Sequence, residues 1–376
     1  MRKLLATAVI LATTIVAANV RAEEGSGLEI SGNVTNIGAW SKTLKNSATT
    51  GTLGILNDYN LRAAGTKDTS QFGFYNDQVE LDLAKSFGEN IRARADIDFS
   101  GSRTAATAVE QAYVTANIPA GNGWELLVGR FNSGIGLDPV DRSELSTVSF
   151  SNVHRTLLPH NLLGARLGYN FNEATRAEFY VVNNLADVGT TGSQVPGLGL
   201  NVVYSWGEEG NSSWVKLNAA ASPETATNKP WSMLADLSAS LAVNEALKVG
   251  LEGAYRQDPI TGSANDDRHF GGQAKATYAF SDVWDGTLRY SIVHSRQATA
   301  GLIGVNFNPL TGAGYAGTLA SGGGTSHQIS LATGYTIADG ARVILEGNLD
   351  MGKSRGIAGA TTSYVPGIAG MFAYSF

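Results

Sequence analysis

The sequence predicts an all-β chain folded as a transmembrane antiparallel β-barrel of about 16 strands, with short periplasmic turns and long extracellular loops. Three observations predict it: segments that alternate apolar and polar residues, connections that alternate short and long, and aromatic residues gathered at segment ends. In residues 90–99, Ile91, Ala93, Ala95, Ile97 and Phe99 fall on one face, and Arg92, Arg94, Asp96 and Asp98 on the other. A period of two with one apolar and one charged face is a strand between two solvents. Lipid outside and water inside supply those solvents.

Residues 1–22 read as a signal peptide. Arg2 and Lys3 form a positive start, residues 4–18 an apolar run, and Val20-Arg21-Ala22 the cleavage site. The run falls short of the roughly 20 apolar residues of a spanning helix. The barrel is expected over 23–376.

Sixteen strands follow, near 27–40, 71–85, 90–100, 108–118, 123–131, 161–171, 175–183, 197–206, 212–221, 231–243, 246–257, 268–280, 285–295, 325–337, 340–351 and 364–376. In 246–257, Leu247, Val249, Leu251 and Tyr255 oppose Lys248, Glu252 and Arg256. In 268–280, Phe270, Ala274, Ala276, Tyr278 and Phe280 oppose His269, Gln273, Lys275 and Thr277. In 340–351, Val343, Leu345, Leu349 and Met351 oppose Arg342, Glu346, Asn348 and Asp350. Such lengths cross a bilayer at a tilt of about 45°.

Short turns such as Ser86–Glu89, Ala120–Asn122 and Asn172–Ala174 follow the even strands, and longer segments follow the odd ones, the third being modest. A soluble sandwich has no reason to sort its connections this way. Phe87, Trp124, Tyr169, Phe171, Tyr204, Trp206, Trp214, Tyr278, Phe280, Trp284, Tyr335 and Tyr374 lie near the short-turn ends. Phe99, Phe131, Trp231, Tyr255, Phe270 and Tyr364 lie near the long-loop ends. Two such belts fit the girdles where rings meet lipid headgroups.

An open sheet edge in lipid leaves backbone groups unsatisfied, so the sheet must close. Sixteen strands spaced ~4.8 Å and tilted ~40° give a barrel roughly 30 Å across, wider than side chains fill. An inward charged row is then solvated.

Composition narrows the function classes. With no cysteine there is no disulfide framework. Loss of residues 1–22 leaves 24 basic against 33 acidic residues, which argues against nucleic acid as a partner. Gly312–Gly317 fits a dinucleotide glycine pattern but has no strand–helix context. The five histidines show no zinc spacing, and His294 and His327 on neighbouring strands are the sole seeds of a hydrolase. Asn265-Asp266-Asp267 reads as a solvated loop tip. No catalytic residue, metal or cofactor is expected.

The loop at 132–160 carries Ile135, Leu137, Val140, Leu145, Phe150, Leu157 and Leu158, too apolar to stand in water. It is expected to fold back on the inner wall and narrow the pore, with Asp138, Asp141, Arg142 and Glu144 facing the channel. The pore wall would offer Arg92, Arg94, Asp96, Asp98, Arg130 and Arg166. Acids facing bases across a narrow aqueous gap set a transverse field that filters solutes. The alternative is a loop that caps the outer mouth.

Gln111–Pro119, then Gly121–Phe131, then Gly134-Ile135-Gly136-Leu137-Asp138-Pro139 resemble the OmpL-like β-barrel porin family, in which a hairpin leads into a glycine-containing loop. The resemblance implies an outer-membrane channel for small solutes. The ending Gly370-Met371-Phe372-Ala373-Tyr374-Ser375-Phe376 resembles the signal read by the outer-membrane assembly machinery. The expected function is passive diffusion of small hydrophilic solutes or ions, not enzymatic, in the outer membrane of a Gram-negative-type bacterium. Expected partners are outer-membrane lipid, the assembly machinery through Phe376, and copies of the chain in a trimer. The alternative is a surface adhesin or receptor with little channel activity, using loops 41–70 and 296–324.

Overall fold

The structure, a computed structural model, describes residues 27–42, 45–46, 70–99, 108–185, 195–208, 211–223, 231–259, 266–296, 306–307, 314–315, 324–356 and 359–376. The expected signal peptide, all of the glycine pattern at 312–317 except Gly314–Tyr315, and most of loops 41–70 and 296–324 lie outside the described residues.

Sixteen long antiparallel strands form one sheet. They are β1 (Leu28–Lys42), β2 (Ser70–Phe87), β3 (Ile91–Asp98), β4 (Val109–Ile118), β5 (Trp124–Asn132), β6 (Asn161–Asn170), β7 (Thr175–Val182) and β8 (Gly197–Trp206). Then come β9 (Ser213–Pro223), β10 (Trp231–Ala242), β11 (Leu247–Pro259), β12 (Asp266–Ala279), β13 (Trp284–Ser295), β14 (Gly324–Ala338), β15 (Ala341–Gly356) and β16 (Gly359–Ser375). Neighbours in sequence pair in the sheet, and β1 closes it by pairing with β16 from Asn33↔Ser375 to Ser41↔Gly367. Phe376 N–H donates to Gly32 O at 3.0 Å, and Gly32 N–H to Phe376 O at 3.2 Å, so the seam is laced to the last residue. A two-residue strand, Lys45–Asn46, adds to β16, and Asn306–Phe307 pairs with Gly314–Tyr315.

The alternation is realised as two faces. Leu217, Leu237, Leu251, Leu288, Leu331 and Leu345 are exposed by 46–66 % on the outer wall, while their neighbours Asn218, Asp236, Glu252, Arg289, Ser330 and Glu346 point inward. An exposed leucine belt is a defect in water and the required surface in hydrocarbon. Rings pack side by side along the short-turn rim: Trp124 tilts against Tyr169 (4.4 Å between centroids) and Phe280 against Trp284 (4.7 Å).

Three expectations are corrected here. Trp214 shares the inward register face of Lys216, whose Nζ lies 4.8 Å from its ring, so it leaves the girdle. Phe131 also points inward, 1 % exposed, and stacks near Tyr180. Residues 352–363 do not form a long loop: β15 and β16 keep pairing out to Gly356↔Gly359. Beyond the bilayer both strand faces meet water, so the ladder continues there without an apolar alternation to announce it.

Candidate pore constriction

Between β5 and β6 the chain turns into the barrel. Ser133 N–H donates to His160 O at 2.7 Å and closes the base of the loop. Its apolar residues find two seats on the inner wall. Ile135, Val153, Leu157 and Leu158 pack with Leu127, Phe131, Leu162, Tyr180, Leu234 and Val293. Val148 packs with Ile37, Ala39, Ala332, Ile344 and Met371. These two apolar seats on the inner wall draw the loop inward by burial. One helical turn, α1 (Asn152–Leu157), is capped by Ser151 Oγ accepting from His154 N–H.

Polar anchors finish the seating. Lys216 on β9 donates to the carbonyls of Gly134 (2.7 Å) and Gly136 (3.3 Å). Leu137 N–H donates to Glu252 on β11 at 2.8 Å. Glu346 on β15 accepts from Val148 N–H (2.6 Å), Ser149 N–H (2.8 Å) and Ser149 Oγ–H (2.6 Å). Arg289 on β13 donates to Thr147 Oγ1 (2.8 Å) and Ser149 O (2.6 Å). The loop is thus tied from β9 round to β15 and on to β2.

The four loop residues expected at the channel divide. Asp138 is buried, with Lys275 Nζ at 3.0 Å and Arg289 at 4.0 Å, and it accepts from Ser151 N–H. Burial opposes its charge, but Lys275 and Arg289 prevail and hold the carboxyl well below the usual carboxylate range. Arg142 is also buried; it pairs with Asp77 on β2, donates to Val148 O at 2.6 Å and covers the Phe150 ring at 4.3 Å. Both are anchors rather than channel-facing groups, because a loop lying on a charged wall must pair the charges it buries. Glu144 is exposed and Asp141 half-buried.

Asp141 meets acids, not the expected bases. Two carboxylate trios among the described residues, Glu80–Glu110–Asp141 and Glu80–Asp82–Asp96, bring one oxygen of each residue within 4.8 Å of the others, a spacing that ligands round a common cation can have. Burial, then the charges of Glu144, Asp82 and Asp96, push the Asp141 carboxyl up to about 6. Burial lowers His154, stacked between Phe150 (4.7 Å) and His160 (4.4 Å), so this imidazole is neutral at pH 7.

On the wall, Arg92, Arg94 and Arg166 face inward as expected, with side-chain exposures of 43 %, 32 % and 19 %. Each pairs with an acid: Arg92 with Glu29 (2.5 Å), Arg94 with Asp96 (2.7 Å), and Arg166 with Glu125 (2.9 Å). Asp96 and Asp98 also face inward but are buried, Asp98 accepting from Val79 N–H at 3.3 Å. Arg130 departs from the expectation: by register it shares the face of exposed Val128 and Ala112, opposite to Leu127 and Phe131. Below this wall the lumen opens into a cavity of about 1080 Å³ at the short-turn end, bordered by Asn170, Arg176 and Ser205.

The anchoring wall residues Lys216, Glu252, Lys275, Arg289 and Glu346 were not singled out as site residues from sequence. Alternation marks them as inward, and nothing local marks which inward groups the loop will reach.

The sequence profile of the family described as "Putative beta-barrel porin-2, OmpL-like" matches residues 27–370. A search of curated proteins finds no match. Among solved structures, the outer membrane channel DcaP of Acinetobacter baumannii aligns with a TM-score of 0.62 at 15 % identity, over 94 % of this chain and 99 % of that one. OprB of Pseudomonas putida aligns at 0.55 and 13 % over 93 % and 94 %, and the outer membrane protein OmpT of Vibrio cholerae at 0.54 and 9 % over 93 % and 97 %. At such identities the likeness is one of fold. The match over nearly the whole barrel carries the assignment: this chain belongs to the OmpL-like β-barrel porin-2 family.

Proposed function

We propose that the barrel passes small hydrophilic solutes or ions down their own gradients through the gap between the loop at 133–160 and the wall of β2–β8. One observation carries this reading. The loop's polar ties run from β9 round to β15 and to β2, while the side chains of Arg92, Arg94, Arg166 and Arg176 on β3, β6 and β7 keep 19–43 % of their surface open to solvent. Interleaved charges of both signs hold water and favour no single solute charge strongly. Glu144 and Asp141 form the loop's acidic edge. Passive diffusion needs no catalytic group. Liposome swelling tests the proposal: sugars of increasing size should enter at falling rates with a sharp cut-off. A folded barrel that admits none of them would favour the adhesin or receptor reading.

The accompanying expectations fit this reading. Cleavage after Ala22 and recognition of Phe376 by the assembly machinery would bring the chain to the outer membrane. A trimer is supported by the outer wall at β1, β2 and β16. There the exposed side chains of Asn36 and Asn76 hydrogen-bond to each other at 2.8 Å, beside a cavity of about 470 Å³ lined by Gly38, Phe74, Gly370 and Phe372. Two amides in one bond leave further donors and acceptors unmet in hydrocarbon, and a second copy can meet them.

A further inference from the structure

On the outer wall of β11–β14, the residues near the long-loop end lie in rows set by the register. One row is Tyr255–Phe270–His294–Thr325. Tyr255 and Phe270 touch at 5.1 Å and belong to the upper aromatic belt. One step farther out, two strand residues on, stand Gln257 and Arg268, with Arg296 beside them. Arg296 N–H donates to Arg268 O at 2.9 Å, so the two arginines are neighbours across the sheet, and both are exposed. Among the described residues neither forms an ion pair with an acid. One step inward from the belt the row is Gly253–Gly272–Ile292–His327. A Cβ on Gly253 would meet nothing within 4 Å, and one on Gly272 nothing closer than 3.5 Å.

These rows match the profile of a lipid. Two guanidinium groups lie just outside the aromatic belt, at headgroup level. Guanidinium forks suit phosphate oxygens. Below them Thr325 bonds His294 Nδ1 at 2.9 Å, and Tyr290 OH bonds His327 Nδ1 at 2.8 Å, which leaves Nε2 of each exposed imidazole for a hydroxyl or phosphate. Level with His327, the paired glycines Gly253 and Gly272 leave a strip of the outer wall bare of side chains, over which an acyl chain has room to lie. The chain carries a net charge of −6, so a basic cluster facing lipid runs against its overall charge.

We propose that this face binds one phosphorylated glycolipid of the outer leaflet, lipopolysaccharide, with its phosphate held by Arg268 and Arg296 and an acyl chain lying over Gly253 and Gly272. The long loops place this end at the outer leaflet, where that lipid's phosphates are the abundant anions. The assignment is independent of whether the barrel conducts.

The test uses the full chain, folded in detergent and shown to be folded by heat-modifiable gel migration, and titrated with bisphosphorylated lipid A under native mass spectrometry. Wild type should retain one lipid A and prefer it to dephosphorylated lipid A and to phosphatidylglycerol. Arg268→Gln and Arg296→Gln should each weaken retention about 5-fold, from the value of a basic group at an anionic surface. Gly253→Leu/Gly272→Leu should weaken it with every charge in place. Lys85→Gln, an exposed cation at the short-turn end, should leave it unchanged. Wild-type retention by the arginine variants, an equal loss in Lys85→Gln, or equal retention of phosphatidylglycerol would overturn the proposal. So would a change of oligomeric state in the arginine variants with no lipid bound, which would make this face an interface between copies.

Discussion

Asp138→Asn removes one charge from the most deeply buried ion cluster of the loop and leaves Lys275 and Arg289 facing an amide. Breaking a buried pair from one side costs about 3–5 kcal/mol. Lys275 keeps a 15 % exposed side chain and can recover some hydration, so the lower end applies, about 3 kcal/mol. That changes the ratio of released to seated loop by a factor of about 150. The Arg142–Asp77 pair, the three bonds to Glu346 and the apolar seats remain, so the loop stays mostly seated. The mean conductance should move little, while brief upward excursions in single-channel records become about 100-fold more frequent. The reversal potential should shift toward anions, because Lys275 loses its counter-charge. Asp138→Asn/Lys275→Gln should behave better than the sum of the single variants, as expected of a coupled pair. A folded Asp138→Asn barrel with wild-type excursions and selectivity would refute the reasoning.

Asp141, pushed up to about 6, gives a pH dependence. A raised acid binds its proton more tightly in the seated loop, so it stabilises the seat most below the unfolded value near 4, and this contribution is lost as pH rises through about 6. Cation preference should therefore grow between pH 5 and 7, and Asp141→Asn should abolish the change, as read from reversal potentials. Asp141→Asn/Glu144→Gln should reduce cation preference at pH 7.5, and unchanged selectivity would count against the loop as the filter. Gly340, at φ +74° in the β14–β15 turn, would place a Cβ 2.1 Å from Ser375 O. Gly340→Ala should lower stability by about 1–3 kcal/mol, seen as an earlier urea midpoint of the folded gel band. Asn36→Leu/Asn76→Leu should weaken cross-linked trimers while leaving monomers folded.

The barrel was legible because lipid and water write opposite demands on alternate residues, as in β3, where every second side chain is charged. It became illegible where that contrast fades. β5 reads Trp-Glu-Leu-Leu-Val-Gly-Arg-Phe, apolar on both faces, since Leu127 and Phe131 seat the loop while Leu126 and Val128 meet lipid. Arg130 therefore could not be oriented from charge alone. The loop's burial was readable from Ile135, Leu157 and Leu158. The roles of Asp138 and Arg142 were not, because their partners Lys275, Arg289 and Asp77 lie on strands remote in sequence and are chosen by closure of the barrel. The lipid-facing row at Arg268 and Arg296 likewise becomes visible only once β12 and β13 are in register.

Passive diffusion through this barrel depends on an open aqueous bore. Planar-bilayer recording of the purified chain measures that bore directly. Stable, stepwise, ohmic conductance is the expected result. A correctly folded barrel that inserts and stays electrically silent would contradict it.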